Sequence, residues 1–166
     1  MKHIAYRDSL TNALNRRAFQ EHFRDFKRIL QRAEGNNKSV FLIAADIDHF
    51  KAVNDSYGHD IGDKVLIAFT DLVESQIRAQ DTIYRFGGEE FTILLQDCHV
   101  DIAIDRIEQI MNLLNNNRLD IDELEHAVTC SFGITPMLAS DTVDSVCIRA
   151  DQALYTAKNS GRNQYV

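Results

Sequence analysis

Residues 81–95 read Asp81-Thr82-Ile83-Tyr84-Arg85-Phe86-Gly87-Gly88-Glu89-Glu90-Phe91-Thr92-Ile93-Leu94-Leu95, and this stretch decides the fold. Two strand-like runs, Asp81 to Tyr84 and Phe91 to Leu95, flank a Gly-Gly pair. That pattern predicts a β-hairpin with the glycines in the turn, because both can take positive φ at little steric cost. Two carboxylates then stand side by side at the hairpin mouth. Like charges about 4 Å apart repel by roughly 4 kcal/mol at an effective dielectric near 20. A divalent cation is the usual means of offsetting that repulsion. For a turn taken alone, plain exposure of the two acids to water is the preferred reading.

Upstream, Ser39 to Ile47 is almost continuously apolar, the mark of a strand buried on both faces of a helix-covered sheet. Asp46 near its end is costly to desolvate unless it is paired or bound to metal. Asp48 to Asp55 follows as a helical turn whose first backbone N–H groups are open to phosphate. An EF-hand loop is excluded, since Phe50 and Lys51 stand where a ligand and a glycine belong. Ser56 to Asp63 reads as a polar, Gly-punctuated loop opening a helix that carries Val65, Phe69, Leu72, Val73 and Ile77 on one face.

The remaining elements complete an α/β alternation. Asn15 is placed to cap a helix bearing Phe19, Phe23, Phe26, Leu30 and Ala33, with Gly35 at its stop. Beyond the hairpin, Ala103, Ile107, Ile110, Met111 and Leu114 mark a helix ended by Asn115-Asn116-Asn117. A strand over Ala127 to Ile134, a helix from near Thr142 to Asn159 and a short strand at Gln164 to Val166 close the chain. The expectation is a mixed sheet with at least one antiparallel hairpin. Met1 to Arg7 lacks periodicity and reads as a linker remnant before one domain, residues 8–166.

Composition narrows the function. The 166 residues are 45% hydrophobic and 26% charged with net charge −7, an ordinary globular balance that disfavours a general nucleic-acid coat. No apolar run is long enough to span a membrane as a helix. Cys98, Cys130 and Cys147 are odd in number and lack metal-site spacing, so reduced thiols and a cytoplasmic setting are expected.

If the hairpin pairs beside the Asp46 strand, Asp46, Glu89 and Glu90 meet on one rim of the sheet. Few carboxylates with little else describe a magnesium site completed by substrate phosphates. Two such ions about 3.5–4 Å apart would activate an attacking hydroxyl and stabilise the leaving oxygen. Lys51 lies just after Asp46, and Lys158 and Arg162 lie near the end of the last helix. Taken alone, those two cations are explained by the helix dipole. Asn54 and Asp63 carry groups that complement a guanine edge, but they also suit ordinary helix-terminal positions. Arg78-x-x-Asp81 reads by default as a surface ion pair worth under about 1 kcal/mol.

Taken together these stretches resemble the GGDEF-domain diguanylate cyclases. Asp8-Ser9-Leu10-Thr11 with Asn15-Arg16-Arg17 is similar to the family's opening motif, and Asp46-Ile47-Asp48-His49-Phe50-Lys51 with Asn54-Asp55 to its metal and phosphate segment. Gly58-His59 with Gly62-Asp63 resembles the nucleotide loop. Arg85 to Phe91 is the signature in its GGEEF form. Ser131-Phe132-Gly133-Ile134, Ala150-Asp151, Ala153-Leu154-Tyr155, Ala157-Lys158 and Gly161-Arg162-Asn163 match the closing motifs.

The resemblance implies an adenylyl-cyclase-like palm, a five-stranded mixed sheet wrapped by helices. It implies condensation of two GTP into cyclic di-GMP by two domains face to face, with two magnesium ions per site, or manganese in their place. The implied metal ligands are Asp46, the Ile47 carbonyl and Glu89. The general base is left between Glu89 and Glu90. Asn54 and Asp63 would hold guanine, with His59 nearby. Lys51, Lys158, Arg162 and the backbone around Phe50 would hold the triphosphate, and Arg78 with Asp81 the inhibitory product. Asn12 and Ala13 depart from the usual Gly and Pro, which bears on the turn more than on chemistry. The alternative is a non-catalytic module that binds GTP or cyclic di-GMP.

Overall fold

The computed structural model describes residues 5–33 and 35–166. The reading of Met1 to Ile4 as linker therefore lies outside the described residues. Tyr6 and Arg7 are tied to the domain: Asn15 N donates to Tyr6 O (2.9 Å) and Arg7 forms a bridge with Leu14.

The elements run β1 (Leu14–Asn15), α1 (Arg16–Ala33), β2 (Ser39–Ile47), α2 (Phe50–Tyr57), α3 (His59–Gln76), β3 (Thr82–Gly87), β4 (Glu90–Cys98), α4 (Val100–Asn115), β5 (Cys130–Pro136) and α5 (Val143–Asn159). They build a five-stranded sheet in the order β1-β3-β4-β2-β5, with only the short β1–β3 pair parallel. The apolar run of β2 thus lies between β4 and β5, and residues Val40 to Ile47 are all buried. Strand alternation sorts its side chains between two cores. Phe41, Ile43, Ala45 and Ile47 pack with Phe50, Val65, Phe69 and Ile107 on the α2–α3–α4 side. Val40, Leu42 and Ala44 pack with Phe19, Phe26, Val146 and Leu154 on the α1–α5 side. Asp46 continues this second row, so it points towards α5.

Local chemistry sets the ends of the elements. Asn15 caps α1 as expected, its Oδ1 accepting from Ala18 N at 3.0 Å. A reciprocal capping box between Thr142 and Ser145 starts α5. Gly133 lets α5 lie directly on β5. A Cβ there would stand 2.3 Å from Leu154 N and 2.4 Å from Ala150 O, so only hydrogen fits.

Three expectations need correction. The hairpin turn is Gly88-Glu89 rather than Gly87-Gly88, because Gly87 already pairs with Glu90 across a register shift after Arg85. Gly88 takes the left-handed φ of 48°, and Arg85 donates to Gly88 O from Nε and Nη2 (3.0 and 2.8 Å). Residues 56–63 are not a loop. α2 runs to Tyr57 and α3 begins at His59, with Gly58 (φ 89°, ψ 164°) the single break. β5 begins at Cys130, three residues later than the apolar pattern suggested, and the closing segment meets it in one parallel bridge, Phe132 to Tyr165.

Candidate functional site

The site begins where β2 runs out. Asp46 is cross-strand partner to Glu90 on β4 and to Ser131 on β5, and Ile47 N donates to Glu89 O at 3.4 Å. The end of the central strand and the hairpin turn are thereby held together, which brings Asp46, Glu89 and Glu90 to one rim. Above them, Lys158 in the last turn of α5 donates to Asp46 Oδ2 at 2.7 Å. Lys158 is therefore engaged in the carboxylate cluster, and the helix-dipole explanation does not account for its position.

The electrostatics follow from burial and crowding. Burial pushes the Asp46 carboxyl above its ordinary range; Lys158 opposes this, and Glu89 and Asp48 add to it. Burial, then Asp46, Asp151 and Glu89, push Glu90 up as well. Such a cluster favours a further cation over further protons only if the cation is strongly bound. Asp46 and Glu89 beside the Ile47 carbonyl fit a magnesium ion, which takes one or two carboxylates and leaves the rest of its octahedron to phosphate and water. Among the described residues no group of three or more His, Cys, Asp or Glu side chains is arranged to hold a metal ion by itself.

Asp48, two residues from Asp46, is taken up entirely by structure. It accepts from Thr129 Oγ1 (2.7 Å), Ser131 Oγ (2.7 Å) and Asn163 N (3.0 Å). It therefore fixes the turn after α5 against the end of β2. Arg162 lies in that turn rather than on the helix, with φ 62° and its N–H on Ala157 O at 3.1 Å. It therefore lies just beyond the end of α5, three residues after Asn159.

Of the residues expected to read guanine, Asn54 stands on α2, and His59 and Asp63 stand on α3. Asn54 on α2 lies against the start of α3, its Oδ1 only 1.9 Å from where a Cβ on Gly62 would stand, with Asp63 the next residue. His59 opens α3 and is exposed. Phe50 is buried at the start of α2, and no side chain caps that helix end. Lys51 is 90% exposed and pairs with Asp55 at 3.6 Å.

Arg78 and Asp81 are not the loose surface pair that their spacing suggested. The Asp81 side chain is 2% exposed and accepts from Arg78 Nε (2.9 Å), Arg78 Nη2 (3.1 Å), Arg78 N (3.1 Å) and Gln96 N (3.0 Å). Arg78 Nη2 also donates to Gln96 O. A groove of about 350 Å³ beside the pair is lined by Arg7, Glu74, Arg78 and Asp81, among others.

Sequence reasoning missed two features. Asp48 carried a signal, a second buried acid in the same motif, but its partners lie 81 to 115 residues away. Asp8 joins the opening motif to the signature turn: its Oδ2 accepts from Thr11 N, Thr11 Oγ1 and Arg85 Nη1 at 2.8–2.9 Å. Burial alone would raise the Asp8 carboxyl, but these donors hold it below its ordinary value.

Five strands in this order, wrapped by helices on both faces and carrying acids at the junction of a central strand and a hairpin, make the adenylyl-cyclase-like palm fold. Residues 5–164 match the sequence model described as diguanylate cyclase, GGDEF domain, and the chain belongs to the GGDEF family. It is 37% identical over 164 residues to diguanylate cyclase DgcM of Escherichia coli K12, a match covering 99% of this chain and 38% of that protein. The chain thus spans well under two thirds of that relative. The GGDEF domain of DgcB from Caulobacter crescentus, solved in complex with c-di-GMP, superposes with a TM-score of 0.83 at 30% identity, covering 99% of this chain and 96% of that one. The active GGEEF domain of a diguanylate cyclase from Vibrio cholerae gives 0.76 at 35% identity, with 90% and 94% covered.

Proposed function

We propose that this chain is the catalytic domain, over residues 8–166, of a magnesium-dependent diguanylate cyclase that joins two GTP into cyclic di-GMP with release of two pyrophosphates. The observation that carries the reading is the meeting of Asp46 with the Glu89-Glu90 turn under Lys158. Magnesium or manganese, when bound, would neutralise triphosphate charge and lower the pKa of the attacking hydroxyl. Asp46, the Ile47 carbonyl and Glu89 would hold it. Asn54 and Asp63 would select guanine, with His59 beside the nucleotide. Lys158, Arg162 and the uncapped start of α2 at Phe50 would bind phosphate, and Lys51 would reach it by swinging from Asp55. Glu89 or Glu90 would take the proton of the 3′-hydroxyl. Each domain offers one guanine site, so two must face each other. Unpaired Cys98, Cys130 and Cys147 suit a reducing cytoplasm.

Incubation with GTP and magnesium at high protein concentration should yield cyclic di-GMP and two equivalents of pyrophosphate. GTP binding without any product would leave the non-catalytic reading. The groove beside Arg78 and Asp81 supports a product-binding role there as a regulatory addition to catalysis rather than a replacement for it.

A further inference from the structure

The turn that carries Arg162 is bent further than the end of a helix requires. Gly161, Arg162 and Asn163 all take left-handed φ, at 116°, 62° and 48°. Stopping α5 accounts for the first of these. Gly161 follows Ser160 at the cap, and Arg162 N returns to Ala157 O at 3.1 Å, the usual closure of a glycine-ended helix. It does not account for the next two. Asn adopts this region readily, but an arginine is disfavoured there. The surrounding contacts hold the conformation. Asn163 N donates to Asp48 Oδ2 at 3.0 Å. The Asn163 side chain exchanges two hydrogen bonds with Asn115, the last residue of α4. Asn115 Nδ2 donates to Asn163 Oδ1 at 3.2 Å, and Asn163 Nδ2 to Asn115 Oδ1 at 2.9 Å. Asn115 Nδ2 is steadied on its own helix by a second bond, to Met111 O at 2.9 Å. Gln164 Nε2 ties the carbonyls of the turn, Ser160 O at 2.8 Å and Arg162 O at 3.1 Å. The Arg162 side chain is exposed.

We propose that Asp48 and Asn115 are positioning residues for Arg162, clamping Asn163 from two sides so that the turn keeps the conformation that presents the guanidinium to the triphosphate. The inference rests on the phosphate role proposed for Arg162. Asp48 is an anchor suited to that task. It stands between Ile47, whose carbonyl is an implied metal ligand, and the start of α2 at Phe50, and its own N–H is held by Thr129 O at 2.9 Å. A turn fixed to Asp48 is therefore fixed to the segment that would hold both metal and phosphate. Asn115 supplies the second point, from a helix that carries none of the residues assigned to nucleotide or metal. Two points define where the turn lies, whereas one would leave it free to pivot. Holding an arginine in place before its ligand arrives removes an ordering cost from binding. A purely structural tether would need Asn163 where it is, but no arginine in a disfavoured conformation beside it.

The test is calorimetry of the whole chain with magnesium and a non-hydrolysable GTP analogue, run beside thermal melts. Asn115→Ala, at an exposed helix end, should keep the melting temperature and weaken analogue binding about two- to tenfold. In an Arg162→Ala background the same change should weaken it no further, because residues acting through one group are not additive. Asp48→Ala should cost at least about tenfold in affinity. Asp48→Asn should recover to within about threefold of wild type, since its amide oxygen can accept from Asn163 N and Thr129 Oγ1 while its Nδ2 donates to Ser131 Oγ. A carboxylate that bound metal would not be replaced so easily. Wild-type affinity in Asn115→Ala would overturn the proposal. So would an equal loss from Asn115→Ala with and without Arg162, or an Asp48→Asn chain that binds as weakly as Asp48→Ala. Should Asp48→Ala fail to fold, the Asn115 and Arg162 variants decide alone. Unimpaired binding in Arg162→Ala would overturn the inference together with the phosphate role of Arg162. Tight analogue binding with the expected pattern in the variants, but no cyclic di-GMP, would uphold this inference and overturn the proposed catalysis.

Discussion

Replacing Gly62 by alanine separates nucleotide recognition from folding. The new Cβ would stand 1.9 Å from Asn54 Oδ1 and 3.0 Å from Asn54 Cγ, with Phe50 Cζ at 3.3 Å. The amide must therefore retreat by about 1 Å or more to reach van der Waals distance. What yields is the tip of a flexible side chain, so the fold has little to lose. An alanine inside a helix is favoured over glycine by up to about 1 kcal/mol, so the melting temperature should hold or rise by about 2–4 °C. Binding should move the other way. Losing a buried amide hydrogen bond to guanine costs about 1–3 kcal/mol, which is about ten- to hundredfold in affinity. Calorimetry with a non-hydrolysable GTP analogue and magnesium, run beside thermal melts, reads both signs. Asn54→Ala should lose a similar amount, and the double variant should lose no more than either single change, as residues acting through one contact are not additive. Wild-type affinity in a well-folded Gly62→Ala protein would refute the assignment of Asn54.

Four further outcomes follow from the structure. Glu89→Gln should lower turnover by about 10²–10⁴-fold with an unchanged melting temperature, since a neutral amide ligates weakly and takes no proton; single-turnover assays check it. Gly133→Ala should destabilise by about 2–3 kcal/mol, because its Cβ meets α5 backbone that cannot yield, and denaturant midpoints would report this. Arg78→Ala should raise the cyclic di-GMP concentration needed for half-inhibition while also lowering stability, as the buried Asp81 loses its guanidinium; inhibition curves and melts are both needed. Arg149 beside Asp141 holds that carboxyl near about 2, below its ordinary 3.8. The pair therefore stabilises the fold above pH 3.8, and the contribution is lost as pH falls through about 2. Asp141→Asn should cost about 1–2 kcal/mol near neutrality, after allowance for solvent around the partly exposed Arg149, with the gap to wild type closing in acid.

The residue order alone determined the elements and their chemistry. The unbroken apolar run before Asp46, the helical spacing in α1, α3, α4 and α5, and the doubled glycine before two glutamates all act over a few residues, where periodicity and turn propensity decide. Local signals also sufficed for the Asn15 cap. They failed where a distant partner had the deciding vote. The β3–β4 register moved the turn onto Gly88-Glu89, overriding the expectation that both glycines would occupy it. Helix pairing across Gly58 turned a polar loop into the junction of α2 and α3. The sequence singled out Asp46, but only the tertiary structure gave Asp46 and Asp48, two acids in one motif, their separate partners. One faces Lys158 from 112 residues away; the other is saturated by Thr129, Ser131 and Asn163. A buried carboxylate takes its role from the donors that reach it, and those donors arrive by the folding of the whole chain.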